Sequence, residues 1–235
     1  GVFGLVYNKD VMQKAGLDPN APPKTWEEWL TMSKQITEAG KGQYYGSIVQ
    51  NMGLGGTFRM APFMRQAGGD FTTPDWSTVT FDSAENARAL AFLRELSKTA
   101  PAGSTSMTDE GQFFNLLNSG KAAFGVNGPW HIAWGKQMGC ANCAFAPLPV
   151  PEAGQTGNVI VGNTLFFALK QSKHPEAALE FLNIIASKEY QEMEALATGR
   201  LPANIEAGKS SELLKAYPEL QTYIDIVNKE KSTPL

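Results

Sequence analysis

Only two histidines and two cysteines occur among the 235 residues, and that scarcity removes several chemistries at the outset. No His-x-x-x-His or His-x-x-Glu-His array is present for a catalytic zinc, and a four-cysteine zinc site would need a second cysteine pair. No Gly-x-Ser-x-Gly elbow supports acyl transfer. The glycine-rich MGLGGTF at 52–58 lacks both the Lys-Ser/Thr end of a phosphate loop and the spacing of a dinucleotide fingerprint. No metal or cofactor is therefore expected. An excess of one charge is lacking too: 20 basic and 23 acidic side chains leave a net charge of -3, dispersed along the chain. No face is basic enough to suit nucleic acid or an anionic membrane. A run of about eighteen apolar residues, the length of a spanning helix, is missing, as is the charged start and cleavage pattern of a signal peptide. The chain opens on GVFGLVYNKD as if partway into a strand and ends as abruptly on KSTPL, which reads as a mature segment or a fragment whose export signal lies elsewhere.

What is present points to a packed domain. Hydrophobic residues make up 43% of the chain, sufficient for a core. Short apolar strands alternating with helices make the class α/β. Thr25 followed by Glu28 forms a capping box, and Trp26, Trp29, Leu30, Ser33 and Ile36 make one stripe of a helix that stops at Gly40. Both tryptophans read as core anchors. Strands are expected at 1–7, 44–50, 122–126 and 143–147, and 159–169 is apolar enough for a buried strand interrupted by Gly162-Asn163-Thr164. His174 sits beside Pro175 at a helix start and reads as a solvated residue.

One stretch concentrates binding character. Gly120–Gly135, GKAAFGVNGPWHIAWG, brings a short strand, a sharp Asn127-Gly128-Pro129 turn and a helix start at Trp130 into sixteen residues. An aromatic ring and an amide thus arrive at the carboxyl end of a strand, where α/β folds bind ligands. Sugar recognition needs a flat apolar ring for the C–H face and planar polar groups for the hydroxyls. Trp130 and Asn127 supply both kinds. His131 lies beside that ring, with packing as its alternative; Gly162 and Asn163 offer a second backbone approach; Arg200 offers a multi-donor fork. A carbohydrate-active enzyme is the competing class, and a receptor for another small polar solute is a variant of the binding reading. Asp10, Asp70, Asp75, Asp82 and Asp109 fall at loops or helix starts, where capping and solvation account for them. The pair Cys140 and Cys143 is open between a small disulfide, inert thiols, and redox or metal chemistry.

Several segments together resemble a family: YNKD at 7–10, AGLDP and PKTWEEW between Ala15 and Trp29, QAGGDF, GKAAFGVNGPW, APLPVPEAG, and the block from EAALEFLNIIASKEYQ to GRLPA. In order and spacing they resemble the maltose-binding-like solute-binding proteins of ABC sugar importers. The resemblance implies a periplasmic-binding-protein-like two-lobed α/β fold, present here incompletely, that closes on a sugar and docks on membrane permease subunits without catalysis. It implies a periplasmic or extracellular location, with a lipid anchor as an option for the precursor. It places an inter-lobe crossing at 1–7, the second lobe at 8–126, the cleft turn and connector at 127–156, part of the first lobe at 157–198 and a return toward the second lobe at 199–235. The aromatic of the family's GPW turn falls on Trp130, the glycine after the connector on Gly162, and the polar residue before the LPA turn on Arg200. Because much of the first lobe would be missing, an exposed apolar face near 159–197 is expected, relieved by dimerisation or domain swapping.

Overall fold

The computed structural model describes residues 2–50, 53–140, 142–162 and 164–233. Its main sheet holds β1 (Gly4–Asn8), β2 (Tyr45–Ser47), β3 (Ala122–Asn127) and β4 (Cys143–Ala146) in the order β2-β3-β1-β4. β1 runs antiparallel to both β3 and β4, with Gly4 opposite Asn127 and Tyr7 opposite Phe124, while β2 is parallel to β3. β1 and β3 are buried along their whole length, which is why they read as continuous apolar runs without alternation.

Helices cover both faces. Leu5, Tyr7, Phe124 and Val126 point to the side where Trp26, Trp29, Phe63 and Phe92 pack. Val6 points the other way, toward Ile48, Phe113 and Leu117, as the period-2 geometry of a strand requires. The helix Trp26–Gly40 starts with the complete capping box: Thr25 Oγ1 accepts from the Glu28 amide, and Glu28 accepts from the Thr25 amide. That fixed start turns Trp26, Trp29, Ser33 and Ile36 inward. Trp26 stacks on Phe92 at 4.5 Å between ring centroids, and Trp29 Nε1 donates to Ser47 Oγ at 3.0 Å.

The strand expected over 1–7 is found at Gly4–Asn8, so its bounds are corrected. Gly4–Tyr7 lies inside the main sheet, paired on both sides, because its apolar side chains are buried against helices on each face. Only Val2 bridges outward, to Val161. Beside it β5 (Asn158–Ile160) and β6 (Lys231–Thr233) form a separate parallel pair. Three distant parts of the chain therefore meet at one place. Helices Ser211–Ala216 and Leu220–Lys229 close over it, where Leu213, Leu220, Tyr223 and Ile226 pack with Val2, Ile132 and Val159.

The expected buried strand over 159–169 is also corrected. Pairing stops at Ile160, apart from the bridge at Val161, and Leu165, Phe166, Phe167 and Leu169 are more than half exposed. Helix Pro175–Ala186 buries none of its residues, and Leu179, Phe181 and Ile184 are likewise more than half exposed. This segment presents a bare apolar face, far more than the scattered exposed side chains of an ordinary surface. No described helix is long and apolar enough to cross a membrane.

Candidate ligand-binding site

β3 ends at Asn127, and the chain turns through Gly128 and Pro129 into helix Trp130–Gln137. The turn is tight because the indole of Trp130 folds back over it. A Cβ on Gly128 would lie 2.0 Å from the ring carbon Cζ3, so only glycine leaves the ring room. Trp130 is half-buried. Its ring meets Phe3 edge-on at 5.6 Å, and Phe3 in turn meets Phe58 edge-on at 5.1 Å. The backbone of Gly162 sits against the far ring: a Cβ there would lie 2.2 Å from Phe58 Cζ. Trp130, Phe3, Phe58 and Gly162 thus form one row at the carboxyl end of β3 and the amino end of β1.

A charged pair borders this row. Asp109 caps helix Glu110–Asn118 by accepting from the Gly111 amide at 2.7 Å, which sets Glu110 in the first turn. Glu110 Oε1 accepts from Trp130 Nε1 at 3.0 Å and from Arg59 Nη2 at 2.8 Å. Arg59 is buried; its Nε donates to the Val126 carbonyl at 2.9 Å, and its guanidinium lies over the rings of Phe3 and Phe113. Burial pulls this guanidinium below its ordinary pKa while Glu110 opposes the shift; an arginine stays charged under such a displacement. Glu110 keeps 40% of its side chain exposed.

Two of the residues assigned to the site from the sequence face inward. Asn127 and His131 are both 0% exposed and turn into the protein. Asn127 Oδ1 accepts from the Gly128 amide at 2.9 Å, and its Nδ2 lies 3.3 Å from His131 Nδ1. His131 Nε2 lies 3.2 Å from Asn118 Oδ1. The amide of Asn127 can only donate, so Nδ1 accepts and the proton sits on Nε2, facing Asn118. Asn127 and His131 are thus hydrogen-bonded inside the fold, and Asn118 Nδ2 is buried without a hydrogen-bond partner among the described residues. Arg200 is exposed, and no described contact joins it to the Trp130 row. Asn163 lies outside the described residues. Trp130 and Gly162 are the two assigned residues that the structure brings together.

Burial lowers the His131 pKa from 6.5 to about 3. The folded protein then holds it neutral while an unfolded chain takes up a proton below about 6.5, so stability from this group is complete above that pH and falls as pH drops toward about 3. Between pH 7 and pH 5 the parent is expected to lose about 2 kcal/mol more than the His131→Gln protein, at roughly 1.4 kcal/mol per pH unit below 6.5. Urea unfolding of both at the two pH values measures this, and parallel losses would refute it.

Cys140 and Cys143 are joined in a disulfide that closes the turn between helix Trp130–Gln137 and β4. Behind the site, a cavity of about 20 Å³ is lined by Trp29, Gln50, Arg59, Phe63 and Val126; it has room for one water and none for a sugar. No described cluster of three or more His, Cys, Asp or Glu is arranged to hold a metal. Phe3, Phe58, Arg59 and Glu110 were not singled out from the sequence. Arg59 and Glu110 stand 51 positions apart, and no local pattern links them.

The chain matches the family model described as bacterial extracellular solute-binding protein over residues 1–192. It is 25% identical over 238 residues to a probable ABC transporter-binding protein of Deinococcus radiodurans, covering 98% of this chain and 56% of that protein. It is 27% identical over 211 residues to the sn-glycerol-3-phosphate-binding periplasmic protein UgpB of Salmonella typhimurium, covering 84% and 46%. Among solved structures, an ABC transporter solute-binding protein of Thermotoga lettingae bound with α-D-tagatose superposes with a TM-score of 0.84 at 24% identity, covering 98% of this chain and 59% of that one. The maltose/maltodextrin-binding domain MalE of Bdellovibrio bacteriovorus, bound to maltotriose, superposes with a TM-score of 0.76 at 25% identity, covering 99% and 60%. The chain spans about half the length of these curated relatives.

Proposed function

The chain belongs to the bacterial extracellular solute-binding protein family, and from that membership we propose that it forms one jaw of a receptor that binds a sugar or oligosaccharide outside the cytoplasmic membrane and delivers it to the permease of an ABC importer, without catalysis. The observation that carries this reading is the half-buried indole of Trp130, held by Glu110 at the carboxyl end of β3 and continued by Phe3, Phe58 and the backbone of Gly162. A ring presented in that way, with an exposed carboxylate at its edge, matches the two demands of a sugar: an apolar face for C–H groups and acceptors for hydroxyls. The convergence of Val2, β5 and β6 beside the row supports a hinge there. The second jaw would come from the first lobe, to which 157–198 is assigned in this reading. Titration calorimetry of the protein carrying this chain, against a panel of mono- and disaccharides, tests it. At least one sugar is expected to bind unchanged; failure of every sugar, with hydrolysis of a glycoside, overturns it.

The bare face on residues 165–184 belongs to the same reading as a surface covered in the working receptor. For the 235-residue chain by itself, two copies pair or exchange segments through it. Sedimentation equilibrium should find a dimer that Phe181→Glu weakens; a monomer at every concentration would remove this part of the proposal.

A further inference from the structure

Relatives of this chain are named for unlike ligands, one for an anionic phosphate ester and others for neutral sugars, and the arrangement at Glu110 separates those classes. We propose that Glu110 is the residue that sets ligand class in this site, accepting hydroxyl hydrogen bonds from a neutral polyhydroxylated ligand on Trp130 and excluding phosphorylated or otherwise anionic ones. The inference rests on the receptor reading above and names its substrate class.

An anion on this row would need a cation to hold it. Arg59 is the arginine at the row, and it is 6% exposed. Its Nε is committed to the Val126 carbonyl, its Nη2 to Glu110, and its planar face to Phe3 and Phe113. Reaching a phosphate would mean breaking a charge-assisted bond and uncovering the guanidinium from between two rings. The charge left beside the indole in partial contact with water is therefore negative.

Glu110 is set up to receive donors. An ionised carboxylate offers about four lone-pair positions. Oε1 already accepts two hydrogen bonds, from Trp130 Nε1 and Arg59 Nη2, which hold the group in one orientation. Oε2 has no partner among the described residues, and the side chain is 40% exposed. A sugar lying on the indole brings hydroxyl hydrogens to the height of the ring edge, and Oε2 accepts them. A phosphate or carboxylate in the same place sets like charges together, with no donor between them among the described residues, which disfavours it.

The Arg59 partnership also makes the carboxylate rigid. A carboxylate on a free side chain pays for its ordering when it binds, whereas this one is oriented before the ligand arrives. Acceptor and ring then act as one unit: the Nε1–Oε1 bond ties the plane of the indole to the position of Oε2.

The test uses the protein carrying this chain with D-tagatose, maltose and maltotriose as neutral probes and sn-glycerol 3-phosphate as the anionic one. In the parent, a neutral sugar is expected to bind at least about a hundredfold more tightly than the phosphate ester. Glu110→Gln keeps the side-chain length and an oxygen for Trp130 but replaces the open acceptor by a donor. It should weaken the sugar at least about tenfold and narrow its advantage over the phosphate ester. Glu110→Asp keeps the charge and a partner for Arg59, so it should hold the exclusion of the phosphate ester even where sugar affinity falls; it serves if the glutamine protein does not fold. The ratio of the two affinities is the decisive readout, because general loosening of the fold lowers both alike. Tight binding of sn-glycerol 3-phosphate by the parent, or an unchanged ratio in a folded Glu110→Gln protein, overturns the inference and leaves the receptor reading standing. Failure of all four probes on the parent would count against the receptor reading itself and remove this inference with it.

Discussion

Sugar binding by the Trp130→Ala protein is expected to be at least about tenfold weaker than by the parent, a loss of roughly 1.4 kcal/mol or more. Aromatic anchors in partly desolvated sites commonly exceed that value on truncation. The structure gives three reasons why this ring should be one of them. Its exposed part is a flat apolar surface beside the partly exposed carboxylate of Glu110. Its Nε1 orients Glu110, so truncation frees both partners of the recognition unit. Its edge contact with Phe3 holds the row together, and that support goes as well. Trp130→Phe separates these effects: it keeps a ring and removes the N–H, and its loss should be smaller. Calorimetry gives the affinities, and thermal unfolding checks that both proteins are folded. An unchanged affinity in a folded Trp130→Ala protein would make this indole a packing residue and would undercut the proposed jaw.

The largest effect on stability is expected at Trp29. This side chain is 1% exposed, on the inner face of helix Trp26–Gly40. Its ring touches Phe63 and Phe92, each with centroids 6.0 Å away. Its Nε1–H reaches Ser47 in β2, and Ser47 Oγ is linked to Ser33 Oγ at 2.8 Å. The neighbouring Gly46 is pressed so tightly on the same helix that a Cβ would lie 2.2 Å from the Ser33 carbonyl oxygen. The surroundings therefore cannot collapse easily into the space a truncation leaves. Trp29→Ala is predicted to cost about 3–5 kcal/mol, the range for aromatic-to-alanine changes in close-packed cores. Domains carry only about 5–15 kcal/mol in total, so much of the stability would be lost. Urea unfolding at neutral pH measures it, and a cost below about 1 kcal/mol would mean that the helix and β2 are held together by something else. Binding in the same variant, under conditions where it stays folded, should change little, because Trp29 is buried and no described contact joins it to Trp130 or Glu110.

Much of this could be read locally. The capping box at Thr25 and Glu28 needs only residues three positions apart, and the stripe through Trp26, Trp29, Ser33 and Ile36 needs only the helical repeat; both are found as expected. The turn at Asn127–Trp130 is equally local, since strand, glycine and helix start follow one another directly. Trp130 could be selected on that basis. The neighbouring polar residues could not be sorted in the same way. Asn127 and His131 look the same in sequence whether they face a ligand or the interior. Their direction was settled by Asn118, which lies on another helix and accepts from the imidazole.

Sequence by itself therefore determined the α/β class, the helix starts and stops, the core tryptophans and the position of Trp130 at the turn after β3. These follow from hydrogen bonds and hydrophobic periods confined to a few consecutive residues. Tertiary structure alone decided that Glu110 and Arg59 meet under Trp130, that Asn127 and His131 are sealed inside, and that residues 165–184 face outward with their apolar groups. Those outcomes depend on which distant segments come together and which polar groups satisfy each other when they do, and a buried charge or amide finds its partner across space, with no spacing along the chain to announce it.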